Sequence, residues 1–228
     1  MKSFLLVLAA LAAVVLPCRA DAANPSVFSQ GLGVNGPVFA ILVQADGKVV
    51  IGGEFSTVNG IARRNVARLN ADGTLDRTFV DRIQDGTNGP VFALAAHPSG
   101  GVLVGGSFAM AGEVQRENLA LYNPDGKVDK VFGSSDGGQV TNGVVRAVLV
   151  QPDGKILIGG GFTVSFGQQR HNIARLKADG TLDDVSLTKP AVNGQVNALG
   201  ALADGSFVAG GGFSLYGQVT QGLYRISQ

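Results

Sequence analysis

Tryptophan is missing from these 228 residues, histidine occurs only twice, and the single cysteine is Cys18. One cysteine cannot make an intrachain disulfide, and it lies in an N-terminal stretch expected to be removed, so thiol chemistry is excluded from the remainder. His97 and His171 fall at unrelated places in the sequence pattern described below, which points to neither a metal pair nor a catalytic dyad. Without Lys2 and Arg19, 16 basic residues face 17 acidic ones, with no basic run. That balance argues against nucleic acid or an anionic membrane as the main partner. Outside the first twenty residues no apolar run is long enough for an integral membrane segment, and no stretch keeps a 3.6-residue period.

The N-terminal stretch has a short basic start at Met1-Lys2, an apolar run from Phe4 to Leu16, and small residues around Cys18-Arg19-Ala20 and Ala20-Asp21-Ala22. This is the pattern of a secretory signal peptide over residues 1–20, with cleavage after Ala20 or Ala22. It implies export to the periplasm, the cell surface or the medium. Pro17 stands where a lipidation box carries a small residue, so lipid attachment at Cys18 is the lesser reading. Residues 21–228 then form one domain.

What the chain has in abundance is glycine, 34 residues, and repetition. Gly36 to Phe55 (GPVFAILVQADGKVVIGGEF) returns as Gly89 to Phe108, Gly143 to Phe162 and Gly194 to Phe213. The closing phenylalanines stand 53, 54 and 51 residues apart. A tandem period of about fifty residues signals a propeller or solenoid, because each unit has apolar faces that only its neighbours cover. The repeats cover approximately 36–80, 89–133, 143–187 and 194–228.

Within a repeat, Val38 to Gln44 is apolar on both faces, which predicts a short strand between two layers. Ala45-Asp46-Gly47 supplies a hairpin turn, and Lys48 to Phe55 a second strand. The Gly-Gly pair at 52–53 recurs at 105–106, 159–160 and 210–211, and marks a bulge or a close backbone approach. A polar connection containing Gly60 leads to a third strand at Asn65–Asn70. Thr74 to Phe79 reads as a short fourth strand. The expected fold is all-β, a β-propeller of four four-stranded antiparallel blades. The fourth repeat has no fourth strand of its own, whereas Pro25-Ser26-Val27-Phe28 precedes Gly36 much as Asp76–Phe79 precedes Gly89. Residues 24–28 are therefore expected as a closing strand that completes the last blade and removes a sheet edge. The chain is then a monomer, or an oligomer in which that strand is exchanged between copies.

The recurring Val-x-Ala, Gln-x-Asp-Gly-Lys, Gly-Gly-x-Phe, Asn-[Val/Ile]-Ala-Arg-Leu and Asp-Gly-Thr-Leu-Asp resemble the delta-60 repeats of bacterial secreted and surface proteins, a β-propeller-like family. The second repeat departs from the pattern at Ser99-Gly100-Gly101 and Leu121-Tyr122, the fourth at Thr220 and Gly222. The resemblance implies the fold and leaves the role open. The Gly-Gly pair is shared with kelch blades, whose tryptophan and tyrosine have no counterparts here.

Few residues suggest chemistry. Asp46, Asp72, Asp125, Asp153, Asp179 and Asp204 each stand alone in an Asp-Gly turn, whereas a calcium loop needs several oxygen ligands. No metal site or cofactor is expected. The Arg-x-Asn entries at 63–65, 116–118 and 170–172 suit scaffolding, with asparagine satisfying backbone groups and arginine bridging adjacent blades. Asp183-Asp184 falls in a turn, and no nucleophile elbow or phosphate loop is present, so no catalytic residue is assigned. One position stands out. Val-x-Ala is held in all four first strands, but its middle residue is Phe39, Phe92, Arg146 and Asn197. Scaffold positions repeat because the geometry repeats, so these four are the candidate ligand-binding residues, suited to a sugar-like ring or to another surface protein. The expected function is a non-catalytic exported binding or structural module. The alternative is a glycan-acting hydrolase or lyase working at the propeller mouth.

Overall fold

The computed structural model describes residues 32–133, 140–165, 167–183, 192–215 and 222–226. The expected leader (1–20) and closing strand (24–28) lie outside the described residues. Each repeat forms one three-stranded antiparallel sheet, with its second strand in the middle. Sheet 1 comprises Val38–Val43, Val49–Gly53 and Val66–Leu69. Sheet 2 comprises Val91–Ala96, Val102–Gly106 and Leu119–Tyr122. Sheet 3 comprises Val144–Val150, Ile156–Gly161 and Ile173–Leu176. Sheet 4 comprises Val192–Ala201, Phe207–Leu215 and Leu223–Ile226. The first strands of successive sheets pack side by side, 1 on 2, 2 on 3 and 3 on 4, and form the inner wall of an arc. Among the described residues no comparable packing joins sheet 4 back to sheet 1, and no helix is long and apolar enough to cross a membrane.

Three of the four core clusters lie between sheets; the fourth, Val49, Ile51, Ala67 and Leu69 with Phe55, Val58 and Leu75, belongs to the first repeat alone. Val50 and Val66 of sheet 1 cluster with Val91 and Val104 of sheet 2. Leu103 and Leu119 of sheet 2 cluster with Val145 and Ile158 of sheet 3, and Leu157 and Ile173 of sheet 3 with Val196 and Phe207 of sheet 4. The glycine pair explains how the sheets come so close. A Cβ on Gly52 would lie 2.5 Å from a Val91 methyl, one on Gly105 2.8 Å from Val145, and one on Gly159 2.6 Å from Val196. The first glycine of each pair is thus a socket for the valine that opens the next sheet. Each of these valines is fully buried, a contribution of about 1.5–3 kcal/mol.

The second glycine has a different cause. In every sheet the pairing register slips within Val-x-Ala: Val38 faces Gly53 while Ala40 faces Gly52, and the same step occurs at Val91/Ala93, Val145/Ala147 and Val196/Ala198. The extra residue is a β-bulge. It pushes a backbone carbonyl toward the partner strand, so a Cβ on Gly53, Gly106, Gly160 or Gly211 would collide with the carbonyl of Pro37, Pro90, Val144 or Gln195.

Two local features differ from the sequence expectation. The fourth strand shrinks to single bridges, Leu69 with Leu75, Tyr122 with Val128 and Leu176 with Leu182. Beyond Leu75 the Asp76 carboxylate accepts the Thr78 N–H (2.8 Å) and hydroxyl (2.6 Å), which curls the backbone out of the sheet. Phe79 is thereby turned into the core shared with sheet 2. Conversely, the polar connection in the first repeat holds a small hairpin, Thr57–Val58 with Ile61–Ala62, whose Asn59-Gly60 turn has both φ angles positive (50° and 74°). Asn-Gly favours that turn.

Phe55, Phe108, Phe162 and Phe213 are all buried. Truncating each to alanine is expected to cost about 3–5 kcal/mol in urea unfolding, and near-neutral values at all four would refute their placement in the core. The socket makes a sharper prediction. Gly159→Ala should destabilise by about 1–3 kcal/mol through the Val196 collision, whereas Gly210→Ala, with nothing nearer than 3.7 Å, should be close to neutral. Equal thermal shifts for the two would remove the socket argument.

Candidate functional site

The four residues singled out by their changing chemistry are the four bulge residues. Phe39, Phe92, Arg146 and Asn197 are each the residue the register skips. A bulge re-aims its side chain while the flanking valine and alanine stay in the ladder. Substitution at this position is therefore uncoupled from the packing of the sheet. Because first strands form the inner wall, the four positions make a row along it.

The structure brings three of them together. The Phe39 and Phe92 rings have centroids 5.4 Å apart at 39°, and the Arg146 guanidinium carbon stands 4.9 Å from the centre of the Phe92 ring. Phe39 is 48% exposed, Phe92 and Arg146 are half-buried, and Asn197 continues the row as an exposed residue. The ring contacts stop at Arg146. Its Nε is covered without a hydrogen-bond partner, and no acidic group pairs with it among the described residues. The arrangement offers an aromatic shelf beside an uncommitted cation, suited to stacking and to donating hydrogen bonds.

The other candidates are committed elsewhere. Each Asp-Gly aspartate accepts a backbone N–H two residues on: Lys48 to Asp46, Thr74 to Asp72, Lys127 to Asp125, Lys155 to Asp153, Thr181 to Asp179 and Ser206 to Asp204, at 2.9–3.1 Å. Asn65, Asn118 and Asn172 hold positive φ angles of 63–67°. Their amides donate across the gap between sheets, Asn65 to Thr87 and Gly89, Asn118 to Thr141, and Asn172 to Val192. The preceding arginines, expected to bridge adjacent units, bond within their own repeats instead. Arg63 donates to Ala62, Arg116 to Gln115 and Lys130, and Arg170 to Gln169 and Gln168. Burial pulls Arg63 and Arg116 below the usual arginine range, with Asp81 and Asp129 opposing it. His97 is a strut: Nε2 bonds the Ala178 carbonyl of the next sheet at 2.9 Å, and Nδ1 meets Ser99 Oγ at 2.8 Å.

Sequence reasoning missed the arginine that does cross between sheets. Arg68 donates to the Pro124 carbonyl at 3.0 Å, stacks 4.4 Å over Phe79 and pairs with Asp76 at 2.8 Å. The signal was available as Arg-Leu followed by Thr-Leu-Asp, which recurs as Arg175 and Asp183, also 2.8 Å apart. Burial opposes the charged form of Asp76, but hydrogen bonds from Thr78, Lys48 and Arg68 outweigh it and hold the carboxyl well below the usual range. A carboxyl depressed in the folded state contributes stability above its unfolded value. That contribution fades as pH falls from about 4 toward the depressed value. Asp76→Asn should therefore cost about 3 kcal/mol at neutral pH and flatten the acid limb of a urea-midpoint profile. An unchanged limb would show that Asp76 is not the group responsible.

Comparison with known proteins agrees with the architecture. Residues 44–79, 97–132 and 151–184 match the family model described as a domain of unknown function (DUF5122) beta-propeller. Each match begins at or just before the first hairpin turn of a repeat. No curated protein matches the chain. Among solved structures, the WD40 beta propeller domain of Doa1 is similar with a TM-score of 0.52 at 15% identity, over 84% of this chain and 51% of that one. Streptogramin B lyase is similar at 0.47 and 14%, over 87% and 56%. The extracellular domain of a one-component system from B. thetaiotaomicron is similar at 0.45 and 13%, over 82% and 21%. The chain spans about half the length of the first two, and the fold is that of a β-propeller.

Proposed function

We propose that the chain is an exported, non-catalytic binding module of the delta-60 type, whose four sheets are propeller blades and whose ligand contacts the inner wall at Phe39, Phe92, Arg146 and Asn197. One observation carries the reading. Within the Val-x-Ala frame that all four units hold, the residue that changes chemical class is the bulge residue, and there an aromatic pair stands beside an arginine that has no acidic partner among the described residues. Burying a bulge position behind a bound ring costs the scaffold nothing, because the ladder pairs around it. Two aromatics, a guanidinium and an amide suit a polar ligand with a ring, such as a sugar. The carboxylates at the turns and in the Arg68–Asp76 and Arg175–Asp183 pairs are engaged in structure, which favours binding over glycan hydrolysis or elimination. Export rests on the leader pattern of residues 1–20.

A glycan array probed with the purified protein, followed by calorimetry on any hit, tests this reading. Arg146→Ala and Phe92→Ala are each expected to weaken binding about tenfold or more, close to 1.4 kcal/mol, with the folded circular dichroism spectrum retained. Unchanged affinity in both variants would move the site to the loops around Gly60, Gly112 and Gly167.

A further inference from the structure

Arg146 is the one charged residue in the four first strands; the others are apolar residues, glycine and, in sheet 4, the amides Asn193, Gln195 and Asn197. No carboxylate stands on these strands. The guanidinium is half-buried, with its central carbon 4.9 Å from the centre of the Phe92 ring and its Nε covered without a hydrogen-bond partner. Nη1 and Nη2 stay open and carry no hydrogen bond among the described residues. The other shielded arginines of the described residues are engaged. Arg63, Arg116 and Arg170 donate to backbone carbonyls, and Arg68 and Arg175 pair with aspartates. Arg146 alone among them keeps its two outer nitrogens free and lacks a counter-charge.

We infer that the ligand of this wall is anionic: a sugar carrying a carboxylate or a sulfate ester, whose oxygens accept the N–H groups of Nη1 and Nη2 beside the Phe39–Phe92 shelf. This rests on the wall being the binding surface proposed above, and adds the charge of what binds there. The outer edge of a guanidinium presents paired N–H donors that match two oxygens of one acidic group. The attraction of the cation to the Phe92 ring holds the head group against the wall without consuming an N–H. A wall of apolar side chains screens a charge less than water does, so a single cation sets the sign of the potential along it. Hydroxyls of a neutral sugar would accept the same hydrogen bonds but leave that charge uncompensated. The row also supplies a neutral donor at the equivalent position, Asn197. What arginine adds at 146 is the charge.

Calorimetry on matched pairs tests this: oligogalacturonate beside its methyl ester, and a carrageenan oligosaccharide beside its desulfated form. In at least one pair the acidic member is expected to bind about tenfold or more tightly, the step from neutral to charge-assisted hydrogen bonding. The pair that shows it tells carboxylate from sulfate. Raising salt from about 50 to about 500 mM should erode this preference, because exposed charges are then screened. Arg146→Gln, which keeps a hydrogen-bonding amide without the charge, should abolish the preference. Arg146→Lys, which keeps the charge without the paired donors, should reduce it. Both substitutions fall at a bulge, outside the ladder, so the folded circular dichroism spectrum should be retained. Neutral members bound as tightly as acidic ones would overturn the inference and leave the binding wall standing. A preference that a folded variant leaves unchanged would overturn it too, moving the anion to another cation. Binding to neither member of either pair would also overturn it, whereas the binding wall falls only if the glycan array is blank as well.

Discussion

The structure depends on two adjacent positions in each of the first three repeats where a side chain cannot fit, for two unrelated reasons. The first glycine leaves room for a methyl group arriving from the next sheet, and the second leaves room for a carbonyl displaced by a bulge in the sheet's own first strand. Glycine inside a strand normally weakens it by its flexibility and lack of packing surface. Here the weakness is offset by a fully buried valine from outside. Stability of any one sheet is accordingly held by its neighbour, which is the physical meaning of a repeat that recurs at a fixed period.

The same arrangement separates what must stay constant from what is free to vary. Valine and alanine on either side of the bulge are bound to the socket and the ladder, so they recur. The residue between them is bound to neither, so phenylalanine, arginine and asparagine are all compatible with one backbone. A surface that varies on an invariant frame is the ordinary way in which repeat scaffolds carry different ligands. The asparagines at positive φ and the aspartate turns belong to the frame, since the amide bond across the gap between sheets and the aspartate bond to the N–H two residues on both recur with the repeat.

Much of this was legible in the sequence, and the reasons are specific. The strands of each sheet follow from apolar runs between Asp-Gly turns, and the bulge from the Gly-Gly pair. The hairpin at Asn59-Gly60 was equally readable, but a polar composition concealed it behind the appearance of a plain loop. The fate of the fourth strand was not readable: Thr74 to Phe79 has strand composition, and only the Asp76–Thr78 hydrogen bonds turn it aside. For the candidate site, the row of four positions came from comparing repeats. Its contacts did not, because the distance between neighbouring first strands is set by the sockets and appears in no single repeat. The direction of Arg68, reaching the next sheet while Arg63 stays at home, depends on the same spacing.

Gly222 has a consequence for how the protein opens. Glycine adopts the left-handed backbone that asparagine holds in the other three repeats (φ 76° against 63–67°), so the chain path is preserved at no steric cost. What is given up is the amide that would have reached outward from the strand. An array held by nearest-neighbour terms melts from whichever terminal unit has the smallest such term. In sheet 4, moreover, Leu223 is 68% exposed where its counterparts Leu119 and Ile173 are at most 2%, so amide hydrogens of Leu223–Ile226 exchange before those of Leu119–Tyr122 and Ile173–Leu176.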